Sequence, residues 1–266
     1  MTAELTRRQV LDDLPPLRAA LAARGLSLAW AVAEADADGD AGHPDVTPAG
    51  PGEAQAAAGM PPTRRREFLA GRWAARRALR AAGGPGGEIG RAGRRPLAPA
   101  GWALSISHSA GLAVAVAAPL SRYAAVGCDL ELRRLPAAAA RLVLTGPERA
   151  WAGDAGTPGA EHRLLALFSA KEAAFKLLCG LRPETFGALT VARLSADPPP
   201  VGARPRAFRL RPSLPGAPDP QGVPDLPCPP GTARAPGTPP PAALVRVGAT
   251  GDGVFCWTAL PASVRR

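Results

Sequence analysis

Lysine is nearly missing from this chain. Of 32 basic residues in 266, only Lys171 and Lys176 are lysines, and arginine supplies the rest. Such a skew fits a composition bias that installs arginine wherever either cation serves. The net charge of +10 therefore points only loosely to polyanionic partners such as a nucleic acid, a phosphorylated small molecule or an acidic protein. The two surviving lysines are more informative, because an ammonium is a compact point charge and a guanidinium a planar fork. Aromatics make up only 5% and no nucleic-acid-binding module is recognisable, which weakens the case for a nucleic-acid binder. No apolar run reaches the ~20 residues that span a bilayer, and the opening MTAELTRRQVLDDLPPL has no hydrophobic signal region, so a cytoplasmic, membrane-free protein is expected. The four cysteines, Cys128, Cys179, Cys228 and Cys256, form no CxxC pair and no metal-ligand spacing. Reduced core thiols are the default for such a set.

What is abundant is glycine and proline, 30 and 32 residues, which points to long loops or a low-complexity insert. After an N-terminal helix and strand, residues 35–63 read as a turn-rich loop. RRREFLAGRWAARRALRAAG, from Arg64, has helical spacing and stops at Gly83-Gly84. GWALSISHS and GLAVAVAAP alternate as strands about Ser109-Ala110-Gly111 and predict a hairpin. A strand over 126–132 follows, then, after a loop, an amphipathic helix over 161–180 with Leu164, Leu167, Phe168, Phe175 and Leu178 on its apolar face. ALTVARL and RAFRLRP read as strands. Residues 211–242 are a proline-dense insertion with too little apolar surface to offset the cost of ordering. ALVRVGA and VFCWTAL, about TGDG, predict a last hairpin. The order predicts an α+β fold of two similar halves related by a pseudo-twofold, 1–125 and 126–266. Each half would be a small antiparallel sheet packed on a long helix, with a cleft between them for a ligand.

Within VGCDLELRR, Asp129 and Glu131 fall at i and i+2 on one face of a strand, where like charges repel unless a cation or water intervenes. A solvated polar face on an edge strand would explain them equally well. On the 161–180 helix, Glu172 and Lys176 lie one turn apart, and Lys171 projects into the apolar stripe. A Glu–Lys pair at this spacing is commonly surface decoration; here both lysines of the chain flank one glutamate. Asp129, Glu131 and Glu172 together make a hard oxygen-donor set suited to Mg²⁺, which would relieve the repulsion on the strand. His108, in SISHS, reads either as a core histidine or as a ligand contact.

The motifs RRREFLAGRWAARRAL, RRP, SISHS, VGCDLE and FSAKEAAFK occur in the order typical of the 4′-phosphopantetheinyl transferase superfamily, which the chain resembles over roughly residues 60–180, in particular its larger monomeric branch. The resemblance implies two related α+β halves enclosing a coenzyme A cleft. It makes Asp129, Glu131 and Glu172 the Mg²⁺ ligands, with Glu172 also the general base and Lys176 the charge on the pyrophosphate. Ser107 and His108 would contact coenzyme A, Arg95 its nucleotide phosphates, and Arg64 and Arg72 the adenosine and its 3′-phosphate; the triple Arg64–Arg66 leaves open which arginine binds. Glu148, in LTGPERAW, stands where the family tends to place an acid, and a carboxylate at a helix start accounts for it as well.

The implied reaction moves the phosphopantetheine arm of coenzyme A onto a serine of an apo acyl or peptidyl carrier protein, serving siderophore, nonribosomal-peptide or polyketide synthesis, by a monomeric enzyme. The partner supplies the serine, in keeping with the lack of a Ser-His-Asp or Cys-His set here. The rival expectations are a non-catalytic coenzyme A or carrier-binding relative and a Mg²⁺-dependent phosphohydrolase.

Overall fold

The computed structural model describes residues 2–33, 46–154, 157, 159–181, 190–197, 205–212, 242–251 and 253–262. The elements are α1 (Thr2–Ala22), β1 (Ser27–Val32), α2 (Pro51–Ala58), α3 (Pro62–Ala81), β2 (Gly90–Ala92), β3 (Arg95–Leu97), β4 (Trp102–Ser109), β5 (Leu112–Pro119) and β6 (Tyr123–Glu131). They continue with α4 (Ala137–Val143), α5 (Gly146–Ala152), α6 (Ala160–Leu181), β7 (Leu194–Asp197), β8 (Ala207–Pro212), β9 (Ala243–Thr250) and β10 (Gly253–Pro261). This is an α+β fold. Its antiparallel sheets are β1-β5-β4, with three strands, and β6-β10-β9-β8-β7, with five, and a two-stranded β2-β3 hairpin stands apart. No helix among the described residues is long and apolar enough to cross a membrane.

Residue size explains how the first sheet packs. β5 reads LAVAVAAP, so one face is alanine at every second position and the other is mostly valine. Ala113, Ala115 and Ala117 meet Ala70, Ala74, Ala75 and Ala78 of α3, where small side chains let helix and sheet approach closely. Leu112, Val114 and Val116 enter a second cluster with Val10, Leu14 and Leu21 of α1, Val126 and Leu130 of β6 and Phe255 of β10. That cluster joins strands of both sheets into one core. Ala110 and Gly111, with φ of 49° and 76°, make the tight hairpin turn between β4 and β5, the conformation a two-residue loop requires.

The second sheet rests on α6, whose inner face is mostly small. Ala166, Ala170, Ala173 and Ala174 are buried there with Leu165, Leu167 and Leu177. Leu164 and Phe175, expected on the apolar face, are only partly buried against this cluster. At Gly127 a Cβ would lie 2.0 Å from the Ala173 carbonyl, so β6 and α6 touch backbone to backbone only because that residue is glycine.

Three segments depart from the sequence-based expectation. The 35–63 stretch contains α2, an alanine-rich helix begun by Pro51 and tethered through Glu53, which accepts two bonds from Arg76 at 2.7 and 2.8 Å. The loop before α6 contains α4 and α5, the latter opened by a Thr145–Glu148 capping box. Within ALTVARL, Val191–Arg193 is a single 3-10 turn and the strand begins only at Leu194. The proline-dense insertion lies almost wholly outside the described residues. Cys128, Cys179 and Cys256 are buried free thiols.

Candidate active site

The site begins at the seam between the sheets. Alternation along β4 turns Ser105, Ser107 and Ser109 toward β6, with which β4 shares no ladder. The serines bridge the gap in its place. Cys128 N–H donates to Ser105 Oγ and Leu132 N–H to Ser109 Oγ, each at 3.0 Å. The Ser107 hydroxyl donates to Asp129 Oδ1 at 2.8 Å and the Ser109 hydroxyl to Glu131 Oε2 at 3.2 Å. Asp129 and Glu131 thus face the serine strand, on one side of β6.

α6 brings the opposing groups. Lys176 Nζ lies 2.6 Å from Asp129 Oδ1 and 3.0 Å from Ser107 Oγ. Glu172, one turn earlier, lines the same cleft. Burial, reinforced by the negative charge of Asp129, pushes the Glu131 carboxyl up to about 7. Burial also raises Glu172, while Lys176 opposes the shift. For Lys176 burial works to lower the pKa, but the negative charge around it, chiefly Asp129, raises it overall. These are the marks of acids crowded into a poorly solvated space with too little positive charge.

The basic residues line up beside them. Arg64 Nη1 lies 2.5 Å from His108 Nε2. A guanidinium can only donate, so Nε2 accepts and the ring proton sits on Nδ1, which faces Glu67 at 3.8 Å. Burial, then the Arg64 charge, push His108 below the usual histidine range and keep it neutral. Of the arginine triple, Arg64 is the one turned to His108, whereas Arg66 reaches Thr63. Arg95, on β3, lines a cleft of about 500 Å³ together with Glu172, Lys176, Phe175, Trp102 and Ile106. Arg72 is 6% exposed; its Nε donates to the Ile89 carbonyl at 3.1 Å and its guanidinium lies over the Phe68 ring. Arg72 is thus anchored in buried space at the edge of the cluster.

The residue types suit a hard divalent cation, and one atom asks for a partner: Asp129 Oδ2 is buried and bonded to nothing among the described residues. An isolated buried carboxylate oxygen is costly. Among the described residues no three acidic, histidine or cysteine side chains close into a ready-made cage. The three carboxylates expected as Mg²⁺ ligands, Asp129, Glu131 and Glu172, are all among the described residues and form no such group by themselves.

Two features escaped the sequence. The β2-β3 hairpin carries Arg91, whose charge adds to that of Arg64 in lowering Arg72, after burial, to about 10; Gly93 in the turn, at φ 58°, was the available signal. The other is the full bonding of Glu148, which reaches Lys171 as well as its own helix start.

Glu172, Lys176 and Arg95 thus line one cleft, with the strand acids reached through Lys176 and Asp129 and with Arg64 paired to His108 of β4. Residues 52–118 match the 4′-phosphopantetheinyl transferase N-terminal domain, and residues 125–214 the 4′-phosphopantetheinyl transferase superfamily. A relative, the 4′-phosphopantetheinyl transferase Npt of Nocardia iowensis, is 35% identical over 136 residues, which is 50% of this chain and 60% of that protein. The chain belongs to the 4′-phosphopantetheinyl transferase superfamily.

Proposed function

We propose that the chain transfers the 4′-phosphopantetheine group of coenzyme A to a serine of an acyl or peptidyl carrier protein, releasing adenosine 3′,5′-bisphosphate. The observation that carries this is that Lys176, which lines one cleft with Glu172 and Arg95, bonds Asp129 at 2.6 Å, and that Glu131 lies close enough to feel the charges of Asp129, Lys176 and Glu172. In the reaction, the serine oxygen bonds to the phosphorus on the pantetheine side while that phosphorus loses its bond to the bridging oxygen. The electron pair leaves on the nucleotide.

Mg²⁺ held by Asp129, Glu131 and Glu172 would supply charge neutralisation at the pyrophosphate. Glu172 takes the serine proton. Lys176, partly exposed and aimed at Asp129, meets the charge that builds on the pyrophosphate. Arg64, neutral His108, Ser107 and Arg95 orient the nucleotide end, and Phe175, Trp102 and Ile106 keep water from the reacting phosphorus. A basic protein meeting an acidic carrier gains encounter rate, an advantage that salt removes. The division into halves at 125/126, the monomeric state and the cytoplasmic location belong to the same proposal.

Incubation of the purified protein with Mg²⁺, coenzyme A and a panel of apo carriers tests it, with intact-mass detection of a carrier that has gained one phosphopantetheinyl group. Glu172→Gln and Asp129→Ala should each abolish the gain while leaving a cooperative unfolding transition. Coenzyme A binding without any mass gain across the panel would identify a non-catalytic relative instead.

A further inference from the structure

Glu172 bears most of the proposed chemistry, yet among the described residues its side chain makes no hydrogen bond that would hold it in place. The residue before it, by contrast, is fully buried and held by two short hydrogen bonds. Lys171 is 0% exposed and Glu148 1%, measured at the side chain. Lys171 Nζ donates to Glu148 Oε2 at 2.6 Å and to the carbonyl of Val143, the last residue of α4, at 2.7 Å. Glu148 in turn accepts from Thr145 N–H at 2.7 Å and from Ala196 N–H of β7 at 2.8 Å. One ammonium therefore ties α6 to the end of α4, the start of α5 and the inner side of β7.

Successive helical residues are about 100° apart, so Glu172 and Lys176 fall on one face about 40° apart, with Lys171 on the flank. Fixing the Lys171 ammonium fixes the roll of α6 about its own axis, and with it the direction in which Glu172 and Lys176 point. The Gly127 contact with Ala173 and Leu177 sets how near α6 lies to β6, and the Lys171 anchor acts from the other flank of the helix. We infer that the buried Lys171–Glu148 pair is a positioning device for Glu172 and Lys176, so that loss of the pair misplaces the base without removing the ligand-binding groups. This inference rests on the transferase reading above.

A misplacement of about 1 Å can cost on the order of a hundredfold in rate. Lys171→Met should therefore lower kcat about ten- to hundredfold, a larger change than any in KM for coenzyme A, whose nucleotide-end contacts are untouched. Active-site titration, so that only folded enzyme is counted, separates this from a loss of stability. A folded Lys171→Met enzyme with wild-type kcat would overturn the inference. Should that variant fail to fold, Ala196→Pro decides. It deletes the N–H that donates to Glu148, on a strand at the sheet edge where proline is tolerated, and lies outside the cleft. A several-fold fall in kcat that exceeds any change in KM supports the positioning role, and an unchanged kcat refutes it. Wild-type enzyme is assayed in parallel; if it too transfers nothing, the transferase reading has failed and not the positioning role.

Discussion

Replacing Glu131 by glutamine should make the metal-free protein more stable, although it removes a residue proposed for function. Burial and the neighbouring Asp129 charge lift the Glu131 carboxyl from 4.5 to about 7. The folded chain thus keeps a proton there that the unfolded chain has released. The stability tied to this group is complete below the unfolded value near 4.5 and is lost as pH rises through the folded value near 7. Each pKa unit is worth about 1.4 kcal/mol, so after allowance for partial solvent screening the ionised pair costs roughly 2–3 kcal/mol at pH 8. In a chain of this size that is a Tm difference of roughly 4–10 °C. Thermal unfolding of wild type and Glu131→Gln in the presence of a chelator, at pH 8 and again near pH 4.5, reads it directly. The variant should be the more stable at pH 8, the two should converge at the acid end, and Mg²⁺ should raise the wild-type Tm while leaving that of the variant unchanged. A variant equal to or weaker than wild type at pH 8 would show that Lys176 and the serines already neutralise the acids, and would remove the reason to place a cation there.

Gly127→Ala forces a Cβ to within 2.0 Å of the Ala173 carbonyl, so denaturant unfolding should show a loss of about 3 kcal/mol, since neither backbone can yield cheaply. Ser105→Ala leaves the buried Cys128 N–H without its acceptor and should cost about 1–3 kcal/mol at the seam between the sheets; a value near zero would mean that a water replaces the hydroxyl. Arg64→Ala removes a charge that, after burial, depresses His108, so the His108 resonances should titrate at higher pH in NMR.

Much of this site was legible because period and charge coincide in it. The i, i+2 acids of β6, the i, i+4 pair on α6 and the SISHS alternation each follow from strand or helix geometry, and the structure brings them to one seam. The i, i+2 pattern implied a crowded pair but not that serines of another sheet would bond to it. Contacts between segments about 22 residues apart in sequence leave no periodic trace. α2 was hidden because its glycine, proline and alanine content reads as a turn when the buried Glu53–Arg76 tether cannot be seen. The apolar face of α6 was placed slightly off for a related reason. Periodicity weights leucine and phenylalanine, whereas packing against β6 selects alanine, and Phe175 is left to the cleft.

The same contrast accounts for the two lysines. Lys171 meets two acceptors at 2.6 and 2.7 Å in fully buried space, and Lys176 meets Asp129 and Ser107 at 2.6 and 3.0 Å beside a buried strand. A guanidinium is wider, and its donors diverge in a fixed plane, so at either place it would have to push apart the groups it should join. Arginine serves where the cation lies over a ring, as Arg18 does on Trp30 and Arg77 on Trp73, or where it can meet both oxygens of one carboxylate, as Arg76 does with Glu53. A composition that exchanges lysine for arginine elsewhere thus marks where geometry forbids the exchange. Both such places lie on one helix, five residues apart, on either side of Glu172.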